Sequence, residues 1–580
     1  MKRIFRFALI GTGALVVVLA VITVVALAVI NPNDYKPRVE AAVLKATGKK
    51  LMLQGDLSLS VFPGVSIKAG PAELADDVSF GSEPFLRVEK ASASVAILPL
   101  FSGNVDIGEV SVSGVRLKLA VNKAGKGNWV MEGAATPEQN APRQPAGSGK
   151  SDGSKAADFS SFALKSLTVS DTLVVYTDMR SQNSMRVAID ELTLGPVKVG
   201  EKTGLTLKAS YTGAMARPMT LNLNAGFTLP ASFIENTSFT AEGKLDDTTF
   251  SVNGVAGMPG DRKIYLKGEF TFGDINIDRY TAAPAKAKQD QPGKQAAFAP
   301  AKPTAAASDD AALAELLRKI FLDLHITAKS ITASNIPVTK LEAAVKADRG
   351  LINAKPVSMV IAEAPLNIEA AVDVRGKTPE SRVSADWKGA KIGQVIKAAT
   401  GKEHLTGTVN ADLNLTANGI AWPAVSKTLG GKASLALADG TVPGFRIIPG
   451  GVPGLPAKTL DLATVRCTST WNIVNGIARN NDLALRATGL SAGGNGQVNI
   501  PARTIDYKVS VEMPTIPELP NLTILPLVIS GPLSSPSYGV DQPELLRQGA
   551  KAILNPASEG GRQLENLGKG LGDMLKGLKK

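Results

Sequence analysis

The side chains best suited to acid-base or nucleophilic chemistry are few in this sequence. It contains two histidines, His325 and His404, and one cysteine, Cys467, in 580 residues. His404 follows Glu403, but a catalytic triad also needs a nucleophile, and none can be assigned beside this pair. His325 alternates like a strand residue, so an exposed imidazole is expected. Arg466 could lower the pKa of the Cys467 thiol, although a half-buried structural thiol is the commoner case.

The same scarcity argues against metal and cofactor sites. A single thiol cannot form an intramolecular disulfide, and two histidines with one cysteine do not make a structural zinc site. The phosphate-loop pattern GxxxxGK(S/T) and the metal pattern HExxH are both missing from the sequence. We therefore expect a protein that is not an enzyme and has no catalytic, metal-binding or cofactor-binding residues.

Composition points to an aliphatic core and to anionic partners. Hydrophobic residues make up 44% of the chain and aromatic residues only 5%, so the core must be built from Val, Leu, Ile and Ala. The 64 Lys and Arg residues exceed the 52 Asp and Glu residues, which gives a net charge of +12. This excess favours phospholipid head groups as partners and does not require nucleic acid, which we do not expect to bind.

The amino-terminal segment predicts a membrane anchor. Residues 8–30 contain no charged side chain and are long enough to cross a hydrocarbon core of about 30 Å. Lys2, Arg3 and Arg6 precede the segment, so residues 1–7 should stay in the cytoplasm and the bulk of the chain should lie on the other side. Cleavage after Ala28 is the alternative, but the apolar stretch exceeds a usual signal-peptide core. The predicted anchor residues are Leu9, Leu15, Val18, Leu19, Ile22 and Leu27.

The elements that follow are mostly strands. Apolar and polar residues alternate with period two over 115–121, 205–211, 221–229, 409–417 and 505–511. The pattern predicts a mainly β (α+β) protein with a large antiparallel sheet that has one apolar face. Three short helices are also predicted: one capped by Asn33 or Asp34 that stops at Gly48, one from Ser308 through Phe321, and one from Ile392 to Ala399 that stops at Gly401.

The apolar face of such a sheet must be covered or must bind something. With few helices to cover it, the face could be the floor of an open groove or one half of a filled sandwich, and periodicity alone favours the sandwich as the commoner case. If the face is open, it can meet acyl chains. The candidate lipid-facing residues are Leu117, Leu119, Leu221, Leu223, Phe227, Leu413, Leu415, Tyr507, Val509 and Val511.

Two segments, 134–157 and 281–307, are rich in Ala, Pro, Lys and Gln and lack apolar periodicity, which is typical of linkers. Residues 542–580 form a basic, glycine-rich and amphipathic tail that could order on a membrane or contact envelope proteins. The predicted organisation is a cytoplasmic tail (1–7), an anchor (8–30), three β regions (31–133, 158–280 and 308–541), two linkers (134–157 and 281–307) and the tail (542–580).

Short motifs follow directly after the anchor and recur later in the chain. They lie at 31–40, 46–49, 53–60, 83–89, 98–100, 122–129, 405–407 and 430–440. Through these motifs the sequence resembles the AsmA family of Gram-negative bacteria, most clearly over the first 130 or so residues.

The resemblance implies an inner-membrane protein whose periplasmic β-structure belongs with bridge-like lipid-transfer proteins. It also implies a role in outer-membrane biogenesis. Our leading hypothesis is a protein that binds or conducts phospholipid along an apolar β-groove between the inner and outer membranes. The alternative is a non-enzymatic scaffold or regulator of outer-membrane protein assembly, which would bind protein through exposed strand edges.

Overall fold

The computed structural model describes residues 31–60, 65–95, 107–130, 163–213, 215, 217–232, 234–260, 264–281, 306–401, 403–448, 458–512, 524–541 and 543–544. These residues form 28 strands, β1 to β28, and a few short helices. The chain divides into two compact units, Met1–Gly260 with Arg279–Ala287, and Asp261–Asp278 with Lys288–Lys580. The domain boundaries drawn from the sequence remain predictions.

The described residues contain five helices in addition to the strands. They are α1 (Lys36–Thr47), α2 (Asp278–Thr281), α3 (Ala306–Arg318), α4 (Ile392–Thr400) and α5 (Trp422–Thr428), and 3-10 turns occupy Pro32–Tyr35 and Val78–Phe80. Within the described ranges, no helix is long and apolar enough to cross a membrane. The predicted anchor, most of the two linkers and nearly all of the tail lie outside the described residues.

The helix α1 ends as the sequence predicts but begins differently. Gly48 follows its last turn with a φ of +70°, a conformation that glycine adopts readily. The predicted cap at Asn33 or Asp34 is wrong, because α1 starts after Tyr35 with no side-chain cap. The Asn33 side chain pairs instead with the backbone of Leu57, accepting from its N–H at 2.9 Å and donating to its carbonyl at 3.1 Å. It therefore attaches the helix entry to the first strands.

The predicted helix from Ser308 through Phe321 is too long at its carboxyl end. The helix α3 stops at Arg318, and Ile320 and Phe321 open the strand β16 (Ile320–Ala333). Phe321 stacks on Tyr265 of the neighbouring strand with ring centroids 4.6 Å apart, a contact that only strand pairing provides. The third predicted helix is confirmed as α4, and Gly401 follows it with a φ of +75°.

The first unit contains the strands β1 to β14. Their bounds are β1 (Leu51–Leu53), β2 (Leu57–Ser60), β3 (Val65–Ala69), β4 (Ala72–Leu74), β5 (Leu86–Val88), β6 (Lys90–Val95), β7 (Ile107–Val121), β8 (Ala163–Asp178), β9 (Asn183–Leu194), β10 (Val197–Lys198), β11 (Lys202–Thr212), β12 (Met219–Thr228), β13 (Thr237–Leu245) and β14 (Thr248–Gly257). Pairing runs β2–β3–β6–β7–β8–β9–β11–β12–β13–β14, and β1–β4–β5 joins at β7 while β10 joins at β8.

The second unit contains β15 to β28, each paired with the next along the chain. After β15 (Ile264–Asn276) and β16 come β17 (Ile336–Asp348), β18 (Leu351–Ile361), β19 (Ala364–Asp373), β20 (Glu380–Lys391), β21 (Thr406–Asn418), β22 (Gly430–Ile448), β23 (Lys458–Val474), β24 (Ile477–Ala487), β25 (Leu490–Asn499), β26 (Thr504–Glu512), β27 (Ile524–Pro532) and β28 (Ser537–Val540).

The sheet is mixed, which corrects the antiparallel prediction. The pairs β7–β8 and β15–β16 are parallel. A parallel pair needs a crossover connection of a dozen or more residues, because the chain must return to the end at which it started. The segments interpreted as linkers, 134–157 and 281–307, lie within these two connections. They therefore join neighbouring strands.

The sheet is also open, so the filled sandwich favoured by periodicity is wrong. The second unit contains a buried hydrophobic cluster where α4 packs against the ends of neighbouring strands. Its buried members are Ala362, Ala364, Ala390, Val409, Leu437, Leu462, Val465 and Leu490. Away from this cluster the apolar side chains are mostly only half-buried. Within the described residues, helices such as α4 pack at strand ends and no second layer covers the middle of the face.

The end of β7 is fixed by a buried asparagine. Asn128 is 2% exposed, and its Oδ1 accepts from the N–H of Ala120 at 2.8 Å. Its Nδ2 donates to the carbonyl of Lys118 at 2.8 Å and to the carboxylate of Asp76 at 2.7 Å. Lys49 forms an ion pair with the same carboxylate at 2.8 Å. A single side chain thus joins the turn after β7 to the first strands.

Candidate apolar binding face

In the second unit, strand register aligns apolar residues into rows across the sheet. Directly paired residues of an antiparallel sheet share a face. We call one such line the Leu413 row; it runs from β20 to β27 through Ala385, Leu413, Ala433, Trp471, Asn480, Gly496, Tyr507 and Ile529. Beside it lies the Leu435 row, which has a β-bulge between β23 and β24. Its members are Trp387, Ala411, Leu435 and Ser469, then Leu483, Gly494, Val509 and Leu527.

All five residues predicted for this region lie on the same face. Leu413 and Tyr507 belong to the Leu413 row and Val509 to the Leu435 row. Leu415 and Val511 lie on the flanking rows, on either side of these two. Four of them are half-buried, whereas Tyr507 is only 5% exposed. Whether these residues contact lipid stays a prediction.

The predicted residues of the first unit also share one face. Leu117 is aligned with Val174 on β8, and the row continues to Met219 at the start of β12. Leu119 follows Leu117 on the same side of β7, and the remaining three alternate along β12 on that side. These three are Leu221, Leu223 and Phe227. All five are half-buried.

The strands β7 to β9 of the first unit share a local irregularity, and the apolar face continues on both sides of it. Gly114 on β7 and Asp171 on β8 have φ values of +69° and +47° and lie opposite each other, with no register shift between the two strands. At the same level the register between β9 and β11 shifts by one residue at Asp190, which marks a β-bulge on β9. A β-bulge of this kind bends a strand and increases its twist. The positive φ of Gly114 also changes the alternation on β7, so that Val112 and Val115 lie on the same face although three positions separate them. At this irregularity, Nη2 of Arg116 donates to Oδ1 and Oδ2 of the Asp171 carboxylate at 2.9 and 3.0 Å and so links β7 to β8.

The opposite face of the second unit is charged and hydrogen-bonded. On β21, Asp412 and Asn414 are exposed while Leu413 between them is half-buried. Nζ of Lys388 lies 2.6 Å from Oδ2 of Asp386, and this hydrogen bond and the lysine charge lower the pKa of the Asp386 carboxyl. An open concavity of 530 Å3 lies mainly on this polar face. No group of three or more His, Cys, Asp or Glu side chains within the described ranges could hold a metal ion.

The reactive residues singled out from the sequence are dispersed. The His325 imidazole is 46% exposed on the polar face of β16, with its Nε2 3.8 Å from Oε1 of Glu342. His404 is half-buried in the loop before β21. Burial raises the pKa of the Cys467 thiol, which lies on the apolar face, so the structure does not show the activation by Arg466 that the sequence allowed.

Sequence reasoning missed several residues of the face. Trp387, Leu435 and Trp471 all lie on it, and Leu435 is 43% exposed. Leu435 could have been found from the alternation over 433–437. The pattern around Trp471 is weaker, because Ser469 occupies the preceding position on the same face.

The described residues thus form a long open sheet with one mainly apolar face in each unit. The chain belongs to the AsmA family. The family model matches residues 1–256 and again 230–483. The sequence is 20% identical to Protein AsmA of Escherichia coli strain K12 over 598 aligned positions, which cover 93% of this chain and 94% of that protein. No solved structure matches this chain.

Proposed function

We propose that this chain is an inner-membrane-anchored periplasmic protein of outer-membrane biogenesis that binds phospholipid acyl chains on its apolar β-faces and conducts them between membranes. The observation that carries the proposal is the row geometry: apolar side chains of successive strands line up across the sheet and remain half-exposed. Shielding a methylene from water is worth about 0.8 kcal/mol. An apolar face that contacts many methylenes of an acyl chain therefore lowers the free energy needed to move that chain out of the bilayer.

The chemistry of the two faces supports lipid in preference to protein or a reaction substrate. The face is mainly apolar, whereas the opposite face carries ion pairs such as Lys388–Asp386, so a tail would lie on one side and the head group would stay at the solvated rim. We further propose that the protein is not an enzyme and needs no cofactor. A scaffold for outer-membrane protein assembly would use strand edges, and it is the outcome to which a failed lipid test would point.

The family and the sequence support the proposed location. Residues 8–30 would anchor the chain in the inner membrane of a Gram-negative bacterium, with the two β units in the periplasm and the tail at 542–580 free to contact envelope partners. Edman sequencing of the mature protein from an alkali-washed membrane fraction tests the anchor. Met1 or Lys2 at the amino end of a membrane-retained chain supports it, whereas a chain that starts at Val29 would show cleavage after Ala28.

Transfer of phospholipid tests the proposed activity. Full-length protein is reconstituted in donor vesicles that contain a fluorescent phospholipid, and dequenching in acceptor vesicles is followed over time. We expect transfer above that of protein-free vesicles, a loss in Leu413→Asp and little change in Asn414→Asp. The two substitutions place an aspartate on adjacent residues of β21 that face opposite sides of the sheet, so equal transfer by both variants would contradict a role for the apolar face.

A further inference from the structure

The helix α1 is attached to the first strands mainly by polar side chains. It packs against β1, and the half-buried residues on its sheet-facing side are Lys36, Glu40, Val43 and Thr47. Nζ of Lys36 lies 3.3 Å from Oδ1 of Asp56, and Oε1 of Glu40 accepts from the N–H of Leu53 at 3.0 Å. A surface helix usually turns its apolar stripe towards the core. Here polar contacts make the attachment, so the apolar residues of α1 lie elsewhere.

These apolar residues form a stripe on an exposed flank of the helix. Tyr35, directly before α1, is followed by Val39, Ala42 and Ala46 at spacings of four, three and four positions, which places all four on one side. Tyr35 is 50% and Val39 42% exposed, and both alanines are exposed. We call these four residues the α1 stripe. A stripe of this kind is the part of a helix that is normally covered by a partner.

Basic side chains border the α1 stripe. Arg38 and Lys45 are exposed on the side of the helix that faces away from the sheet, next to the stripe. The guanidinium carbon of Arg38 lies 5.7 Å from the centroid of the Tyr35 ring. Helices that lie in a membrane interface carry Lys and Arg beside an apolar stripe, because the cations meet lipid phosphates while the stripe meets acyl chains. The chemistry of this flank therefore fits an anionic lipid surface.

The position of α1 in the sequence favours the same partner. The proposed anchor ends at residue 30, five positions before Tyr35. Five residues extend over at most about 18 Å, and the 3-10 turn Pro32–Tyr35 shortens this path. A helix tied this closely to a membrane span binds the bilayer in an intramolecular step, so a short stripe is enough. The lipid surface is then the partner nearest to the stripe.

Given the proposed anchor, on which this inference rests, we propose that α1 lies in the periplasmic interface of the inner membrane. The α1 stripe contacts the upper part of the acyl chains, and Arg38 and Lys45 contact lipid phosphates. Asn33, Lys36 and Glu40 attach the helix to residues of β1, β2 and the turn between them. The helix therefore holds the first strands of the sheet at the membrane surface.

Fluorescence quenching in the full-length chain tests this position. A single cysteine, Val39→Cys or Leu44→Cys in a Cys467→Ser background, is labelled with an environment-sensitive fluorophore, and the protein is reconstituted in nanodiscs of phosphatidylcholine and phosphatidylglycerol. Leu44 is the matched control, because it is 49% exposed on the same helix and lies about 140° around the axis from Val39. Phospholipid with a nitroxide high on its acyl chain should quench the label at Val39 at least threefold more than the label at Leu44. Aqueous iodide should give the opposite order.

The basic residues are tested in the same assay. Arg38→Gln combined with Lys45→Gln should lower lipid quenching at Val39 at least twofold in the anionic nanodiscs, because the attraction to lipid phosphates is lost. Quenching that does not change in this double variant would refute the role given to the two cations.

The outcomes separate this inference from the proposed function. Equal lipid quenching at Val39 and Leu44, in protein that stays with the nanodiscs, refutes the membrane contact of α1 and leaves the anchor intact. Protein that does not remain with the nanodiscs refutes the anchor and this inference with it. Lipid quenching at Val39 in a protein that transfers no phospholipid refutes the transfer function alone. Ala46→Cys, on the same stripe, replaces Val39→Cys if that variant does not fold, as judged by circular dichroism.

Discussion

A single negative charge introduced by Leu413→Asp should lower the occupancy of acyl chains at the centre of the apolar face. Leu413 is half-buried and directly paired with Ala385 and Ala433, so a tail crossing the sheet here passes over its side chain. One strand spacing of about 4.8 Å corresponds to about four methylenes. If half of the surface of each methylene faces the floor, the shielding lost around a hydrated aspartate is about 1.6 kcal/mol. That energy corresponds to about a 15-fold fall in lipid occupancy.

The measurement is photocapture of phospholipid by benzoylphenylalanine at Leu435, which lies diagonally from Leu413 and is 43% exposed. Full-length protein with Leu413→Asp is compared with the parent and with Asn414→Asp, which adds the same charge on the opposite face. The adduct yield should fall about 15-fold in the first variant and by less than twofold in the second. A fall of similar size in both variants, with both folded, would refute the assignment of lipid to this face.

Three further predictions concern stability. Burial raises the pKa of Tyr507 to about 12, so its contribution to the free energy of unfolding is complete below pH 10 and is lost as pH rises towards 12. Measured by thermal melts, the free energy of unfolding of the parent should fall by about 2 to 3 kcal/mol relative to Tyr507→Phe across that interval, and the same pH dependence in both proteins would contradict this. Gly496→Ala should destabilise by about 1 to 3 kcal/mol in denaturant unfolding, because the new methyl meets the Asp506 carbonyl, the Tyr507 Cα atom and the Tyr507 ring. Gly493→Ala has 3.6 Å to its nearest neighbour and should change stability by under about 1 kcal/mol; equal effects would be inconsistent with the packing. Asn128→Ala leaves the buried Ala120 N–H without its acceptor and should cost about 2 to 4 kcal/mol in the same assay, and a loss below about 0.5 kcal/mol would show that the turn is not a stabilising contact.

Much of the fold could be predicted because the type of each element depends on residues that are close together in the sequence. Strands such as β21 and β26 alternate strictly, and the helix α4 carries its apolar stripe and its glycine stop within ten residues. The parallel pairs could not be predicted, because pairing across a long connection depends on where the chain returns. For the same reason Ile320 and Phe321 continue the helical pattern in the sequence yet belong to a strand that pairs with β15.

The candidate face was predicted in outline, and its details depend on contacts between distant residues. Alternation places Leu413 and Val509 on a face, but only register shows that they lie on neighbouring rows of the same face. The approach of Trp471 to Tyr507 joins residues 36 positions apart in the numbering and depends on glycines of an intervening strand. The positive φ of Gly114 and the β-bulge between β9 and β11 likewise interrupt the alternation that sequence reasoning relies on.

A photocapture scan along β21 tests the central claim most directly. Benzoylphenylalanine is placed at each position from 411 to 416 of the full-length chain in living cells, and adducts are identified by mass spectrometry. Phospholipid should be captured at Ala411, Leu413 and Leu415 and not at Asp412, Asn414 or Thr416, a two-residue period that follows the apolar face. Capture without this period, or protein adducts in place of lipid, would contradict a lipid-binding face and favour an assembly scaffold.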